Sequence, residues 1–517
     1  MILSTNTELL TPEEAKSTAE ELNYSRDIYA RRAGDYPEVQ AALDFFYEKI
    51  TSGYKIKQAR DLKKYRHQIR VFVLDLYVAN QIDPLMYITF PRGKRSYYPG
   101  TKHHRMRLSH RIATNIADFL ESQGYIDQKK GFYKRDDRGG GKGKVTRIRA
   151  KEKFRSLLQV EFKVEIGMFI WDWDDTTPTV VLRNEDKEGQ TYEDTEETLR
   201  MKENLALINR TLERFPILLH VTDDEYWAFA TKIRDDSNKG VPDFTRKFVK
   251  RVFNNGSLTQ GGRFYDGWWQ NIPRECRQFI RINDKDVVEC DYSGLHVNML
   301  YAIENFPMPE GDVYRDIPGY YNSNTLRAFV KQLLLIIVNS GTEKEAVKAI
   351  HKSVHLDKEV KLPKDQVPTT STEDIIPLVK AFGEKHHKIS QYFCSGKGID
   401  LQYLDSQIAE QVMVHFSKMG YPILPMHDSF IIHHGLEQEL KDCMNQAFRK
   451  MFGVNISVDL KYNSITERQK RTLPRDDDNL KSHVCDLTLE EISEQQKEFG
   501  IYYNLLNQFR RYKQKLF

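Results

Sequence analysis

The 517-residue sequence predicts an α+β protein with a mostly helical N-terminal part, on three observations. Apolar residues recur three and four apart across 11–82 and again across 108–120, the period of a helix with one buried face. A basic stretch near residue 140 has three consecutive glycines at its tip and ends in an alternating run over 145–149, the pattern of a hairpin. Two short apolar stretches, 286–291 and 421–432, read as buried strands that each carry an aspartate.

Composition narrows the class. Hydrophobic residues make up 40% and charged residues 29%, which suits a soluble globular chain and excludes a disordered or membrane-embedded one. There is no run of 18 apolar residues, so neither a spanning helix nor a membrane partner is expected. Residues 1–15 lack a basic n-region and an apolar h-region, which argues against secretion. The five cysteines (Cys276, Cys290, Cys394, Cys443 and Cys485) are odd in number and never form a CxxC pair. That pattern fits reduced thiols in a cytoplasmic protein without a zinc site.

Each element follows from local pattern. In the second helical stripe, Leu108, Ile112, Ile116, Phe119 and Leu120 share one face, and Gly124 stops it. Helix, turn and a glycine-tipped basic hairpin (Gly139, Gly140, Gly141) form the layout of a winged helix, with Arg105, Arg107 and Arg111 near the helix start. Residues 91–150 hold 16 Lys and Arg against 5 Asp and Glu, a local +11 in a chain of net charge +4, so the remainder carries −7. Such asymmetry suggests a surface built for a polyanion, with a merely solvated basic face as the alternative. The acidic stretch 172–200, with Asp172, Asp174, Asp175, Glu185 and Asp186, reads as an exposed loop rather than a metal site. Residues 357–377, with Pro363, Pro368 and Pro377, read as a loop or insertion between helices. A charged linker over 473–482 and an amphipathic helical tail over 487–517 close the chain.

The chemistry concentrates in the last half. The strand at 286–291 ends in Asp291, followed by a helical stripe of Leu295, Met299, Leu300, Ala302 and Ile303. Asp428 lies in the second strand. An ionised aspartate is costly to bury in an apolar strand unless it is paired or binds a metal. Two such aspartates suit a shared pair of Mg²⁺ ions, the clamp that phosphoryl transfer uses, and Mn²⁺ is expected to substitute. By themselves they would also suit a metal nuclease on another fold. Arg327 and Lys331 lie at i and i+4 on one helical face, before the apolar run 333–338 and Asn339-Ser340-Gly341. Two cations one turn apart can grip a triphosphate and neutralise the leaving pyrophosphate.

These motifs, in this order, resemble family A DNA polymerases. Gly262-Arg263-Phe264 followed by Gln270-Asn271-Ile272-Pro273-Arg274 resembles their GR…QNIP…R signature. Asp291-Tyr292-Ser293 is similar to their first palm motif, and Arg327 with Lys331 to their fingers helix. His427-Asp428-Ser429 is similar to the last palm motif in the form used by phage-type single-subunit RNA polymerases, and Ser406-Gln407 to the position on the helix before it. The resemblance covers about 258–451 and includes no proofreading exonuclease.

The resemblance implies a right hand of palm, fingers and thumb. Asp291 and Asp428 would hold the metals, with the backbone carbonyl of Tyr292 as a further ligand. Arg327 and Lys331 would contact the incoming triphosphate. Arg263, Gln270, Gln407 and His427 would lie along the primer–template. Together with the residue patterns it suggests a nucleic-acid-binding N-terminal domain over 1–160 and a connecting, thumb-like region over 161–257. Palm and fingers would occupy 258–465, and the linker and tail 466–517.

Departures from the pattern leave sugar choice open. The spacing from Arg263 to Gln270 is shorter than the family's. His296 stands where the DNA enzymes usually carry a glutamate that blocks a ribose 2′-OH. Leu335 and Asn339 replace residues that are usually aromatic. His296 is still bulky, so the leading expectation is a DNA-directed DNA polymerase acting on primer, template and nucleoside triphosphates. The alternatives are a single-subunit RNA polymerase or primase, and a non-catalytic DNA-binding initiator with a decayed palm.

Overall fold

The computed structural model describes residues 24–99, 101–135, 141–171, 178–235, 242–356, 372–461 and 497–513. The N-terminal part is α+β rather than helical throughout. Two short strands, β1 (Ser25–Asp27) and β2 (Arg32–Ala33), precede helices α1 (Pro37–Gly53) and α2 (Ala59–Ile82). This corrects the reading of 11–82 as helical; residues 11–23 lie outside the described residues. β1 takes its hydrogen bonds from β3 (Tyr87–Phe90), a long-range pairing that no local periodicity reports.

After β3 come α3 (Lys102–Arg105), α4 (His110–Ser122), β4 (Ile126–Lys129), the hairpin β5 (Phe132–Arg135) and β6 (Gly141–Lys144), and β7 (Thr146–Ala150). The sheet order is β1-β3-β7-β4. α4 buries Ile112, Ile116 and Leu120, the stripe read from sequence, and ends at Gly124, whose φ of 71° is the left-handed conformation that closes helices. Gly139 and Gly140 lie outside the described residues.

The middle of the chain adds α5 (Glu152–Ser156), β8 (Ile170–Trp171), β9 (Val180–Arg183), β10 (Gly189–Gln190), α6 (Glu196–Arg214), β11 (Ile217–Leu219) and α7 (Asp223–Asp235). The acidic stretch is therefore not a plain loop: Glu185 and Asp186 sit in the β9–β10 turn, and α6 starts in a Thr195–Thr198 capping box. Asp172, Asp174 and Asp175 lie outside the described residues. β12 (Lys250–Asn254) and β13 (Ser257–Tyr265) complete a sheet of order β10-β9-β12-β13.

The C-terminal half is built on β14 (Ile280–Ile282) and β15 (Lys285–Tyr292), followed by α8 (Leu295–Ile303), α9 (Asn324–Asn339), α10 (Glu343–Leu356), α11 (Thr372–Lys385) and α12 (Gly398–Lys418). β16 (Leu424–Met426), β17 (Ser429–His433), α13 (Glu437–Phe452), β18 (Val458–Lys461) and α14 (Gly500–Lys513) follow. The central sheet runs β11-β14-β15-β17-β16, with β18 on β15. Pro377, expected in a loop, lies inside α11; residues 357–371, Pro363 and Pro368 among them, and the linker at 473–482 lie outside the described residues.

α14 packs back onto the body. Ile501 N donates to Asp223 Oδ1 at 2.8 Å and Tyr502 Oη to Asp284 Oδ1 at 2.5 Å. A buried ion-pair network ties the N-terminal part to the rest: Arg32 Nε meets Asp75 Oδ1 at 2.9 Å, and the same guanidinium pairs with Asp243. No helix among the described residues is long and apolar enough to cross a membrane.

Candidate active site

β15 alternates. Cys290 and Tyr292 turn towards α13, where Tyr292 Oη donates to the Met444 carbonyl at 2.7 Å and burial pushes the Cys290 thiol up to about 12. Only the backbone of Tyr292 is thus left for the opposite face. Glu289 and Asp291 take that face.

Register then collects the polar groups. Asp291 pairs with Ser429, so it stands beside the turn that carries Asp428, while β18 sets Lys461 opposite Glu289. Ser429 Oγ donates to Glu289 Oε1 at 2.9 Å; Lys461 Nζ lies 3.7 Å from Glu289 Oε1 and pairs directly with Asp291. Burial, and then the charge of Asp428, hold the Asp291 carboxyl above the usual range, against the pull of Lys461 and Lys331.

The stretch 421–432, read as one strand carrying Asp428, is instead a hairpin: Asp428 is presented by the two-residue turn His427-Asp428 between β16 and β17. His427 has φ of 69°, a strained conformation for a side chain of its size. Its ring packs edge-on to Tyr265 at 5.6 Å, and its Nδ1 is buried without a hydrogen-bond partner. Burial, and then the Arg263 charge, keep this imidazole below its ordinary pKa. Gln270 braces the hairpin, with Nε2 donating to the carbonyls of Phe264 and Pro425, each at 3.0 Å.

α9 is amphipathic. Leu326, Phe329, Val330, Leu333, Leu334, Ile337 and Val338 are buried, whereas Lys331, Leu335 and Asn339 form an outer stripe below the half-exposed Arg327. The apolar run 333–338 is therefore not buried throughout: Leu335 is 45% exposed. Arg327 pairs with Asp312, and both cations lie over Tyr314, with ring distances of 5.7 Å for Arg327 and 6.0 Å for Lys331. Burial, and then the charges of Asp428 and Asp291, push the Tyr314 phenol up, so the ring that carries the two cations also feels the carboxylates. The Asn339 amide is engaged by its own helix, donating to the Leu335 carbonyl at 2.6 Å.

Arg263 on β13 and His296 on α8 converge on Asp405 of α12, a residue that motif reading passed over. Its signal was available: Asp405 falls on the apolar face of a helix, in step with Leu401, Ile408 and Val412. Gln407, two residues on, has a buried Nε2 without a hydrogen-bond partner. Lys461, Glu289, Tyr314 and Asp312 were likewise missed, since each matters through contacts distant in sequence. Arg105, Arg107 and Arg111 are exposed around the α3–α4 corner, far along the chain from the carboxylates, and Arg111 pairs with Asp61 at 2.9 Å.

Among the described residues, no three His, Cys, Asp or Glu side chains are grouped so as to enclose a metal. Two adjacent carboxylates instead suit a hard cation that completes its shell with water, a backbone carbonyl and phosphate oxygens, as Mg²⁺ commonly does.

No protein-family model matches the chain, and no curated protein matches it. Among solved structures it is similar to the POL domain of Pol1 from M. smegmatis in complex with DNA primer-template and dNTP, at 12% identity and a TM-score of 0.30. The match covers 44% of this chain and 50% of that one, so the chain spans half the length of that neighbour.

Proposed function

We propose that this chain is a template-directed nucleotidyltransferase, a palm-type DNA polymerase that extends a 3′ end. One observation carries the reading: the β15–β17 register sets Asp291 beside Asp428, and the α9 cations lie over Tyr314, whose phenol feels both carboxylates. On this reading the central sheet is the palm and α9 the fingers helix.

Asp291 and Asp428 would hold two Mg²⁺ ions, with the Tyr292 carbonyl as a further donor. Bound there, the metals supply activation of the attacking oxygen and neutralisation of the leaving group. Lys331 and Arg327 bind the triphosphate and meet the charge that grows on pyrophosphate; the Asp312 contact orients the Arg327 guanidinium. Arg263, Gln270, His427 and Gln407 face the primer end, where the buried unpartnered Nδ1 of His427 and Nε2 of Gln407 await polar partners.

The N-terminal domain is read as a winged helix that grips duplex DNA. The chain order α2-β3-α3-α4-β4-β7 and the sheet order β3-β7-β4 support this, as do Arg105, Arg107 and Arg111 on the exposed corner.

The test is nucleotide addition on primed and unprimed templates, with dNTPs or rNTPs supplied separately. Wild-type protein is expected to extend a primer with dNTPs. Asp291→Asn and Asp428→Asn are each expected to lose on the order of 10³-fold in rate while keeping the fold. Near-normal extension by either folded variant would overturn the assignment.

A further inference from the structure

Asp405 is 2% exposed and lies between β13 and α8. Its carboxylate is fully engaged. Arg263 Nε reaches Oδ1 at 3.2 Å and Oδ2 at 3.0 Å, Arg263 Nη2 pairs with Oδ2, and His296 Nε2 lies 3.2 Å from the same Oδ2. Burial alone would raise this carboxyl, but the His296 hydrogen bond and the Arg263 charge hold it below the usual range. Asp405 is therefore an ionised acceptor in a buried site.

That fixes which ring nitrogen of His296 turns a proton towards it. An ionised carboxylate offers only lone pairs, so the facing Nε2 must carry a proton, and in the neutral ring Nδ1 is then a bare acceptor. Arg263 Nη2 stands 3.4 Å from Nε2 and cannot donate to a protonated nitrogen. Nδ1 takes part in none of these contacts. One carboxylate thus fixes both the tautomer and the orientation of the ring, as a buried aspartate does for a catalytic histidine elsewhere. His296 sits in the first turn of the helix that follows Asp291, close in the chain to the proposed reacting centre.

We propose that Asp405 is the positioning residue for sugar selection: it clamps the His296 imidazole, Nε2–H inward, as a rigid wall beside the ribose of the incoming nucleotide. This rests on the polymerase reading. A free ring could swing aside for a 2′-OH; a ring bonded to a buried carboxylate that also holds Arg263 cannot do so without breaking that contact. Asp405 therefore ties sugar choice to the arginine at the primer end.

Asp405→Asn keeps the shape and changes the hydrogen bonding. Oδ2 faces both Arg263 and His296, so in Asp405→Asn the amide oxygen keeps that place and the NH₂ stands at Oδ1 against Arg263 Nε; Asp405→Ala removes the acceptor and frees the ring to take either tautomer. Two measurements test this. In full-length protein carrying ¹⁵N-labelled histidine, the His296 resonances, assigned by their loss in His296→Gln, should report Nε2–H in wild type and a mixture of tautomers in Asp405→Ala. In primer extension, Asp405→Ala should lower the dNTP:rNTP preference ~10-fold, the low end of what one misfitted group in a packed pocket is worth. Nδ1–H in wild type, or an unchanged sugar preference in a folded Asp405→Ala, would overturn the proposal. The wild-type tautomer needs no variant, so the test holds even if the substitutions unfold. Wild type that adds no nucleotide at all would instead sink the polymerase reading, and the tautomer measurement would still judge the clamp.

Discussion

Lys461 shows how one side chain can hold neighbouring carboxylates together. Asp291 is 7% exposed, stands near Asp428, and has Glu289 two residues away on the same face. Neighbouring carboxylates repel, and a buried charge without compensation is expensive. The ammonium of Lys461, 3.7 Å from Glu289 and paired with Asp291, supplies the compensation. Lys461→Ala is therefore expected to lower stability by roughly 1–3 kcal/mol in EDTA, the scale of a charged hydrogen bond, discounted because the lysine is partly exposed. Added Mg²⁺ should then raise the melting temperature of the variant more than that of wild type, because the ion meets an uncompensated site. An equal or smaller Mg²⁺ shift in Lys461→Ala would remove this role.

Between elements, His386 is a junction. It follows α11 and is 1% exposed, with its Nδ1 3.1 Å from Tyr301 Oη on α8 and its Nε2 donating to the Val313 carbonyl at 2.9 Å. Burial lowers its pKa to about 4, from an ordinary value near 6.5. Between those values the unfolded chain binds the proton and the folded one does not, so stability rises with pH. The contribution is present above about pH 6.5 and is lost as pH falls towards 4; a shift of this size corresponds to about 3 kcal/mol. Urea unfolding of wild type at pH 4.5 and 7 should show that loss beyond the change in His386→Gln, which has no imidazole to protonate. Parallel pH dependence in the two proteins would count against it. Helix α9 teaches a related lesson about legibility. Its cation spacing and apolar content were readable, but the exposure of Leu335 was not. An unbroken apolar run carries no phase, and only the neighbouring elements decide which side is covered.

For the whole molecule, charge is divided along the chain. The basic surplus of 91–150 lies in the N-terminal part, and the carboxylate cluster on the central sheet. The ion pairs of Arg32 with Asp75 and Asp243 join β2 and α2 to the segment before β12, so the two parts are tied through buried charge. If the N-terminal part grips duplex DNA, neutralising Arg105, Arg107 and Arg111 should weaken binding and flatten its salt dependence. The log–log slope should fall by about 0.9 for each residue that contacts a phosphate. Fluorescence anisotropy with labelled duplex across a salt series measures this directly. A slope identical to wild type would return the segment to a solvated basic surface.

The sequence by itself determined the α+β class, because helix and strand periods are local properties of which residues are apolar. It also disclosed Asp291 on an apolar strand and Arg327 and Lys331 one helical turn apart, but it put Asp428 within a strand where the structure has a turn. The tertiary structure alone decided which strands pair, and hence that Asp291 stands beside the Asp428 turn with Lys461 opposite Glu289. It alone brought Asp405 to Arg263 and His296, across 142 and 109 residues of chain. A periodic pattern states that a face will be buried and leaves open what it will be buried against. That choice belongs to packing, where burial of every apolar face and the pairing of every buried charge must be satisfied at once.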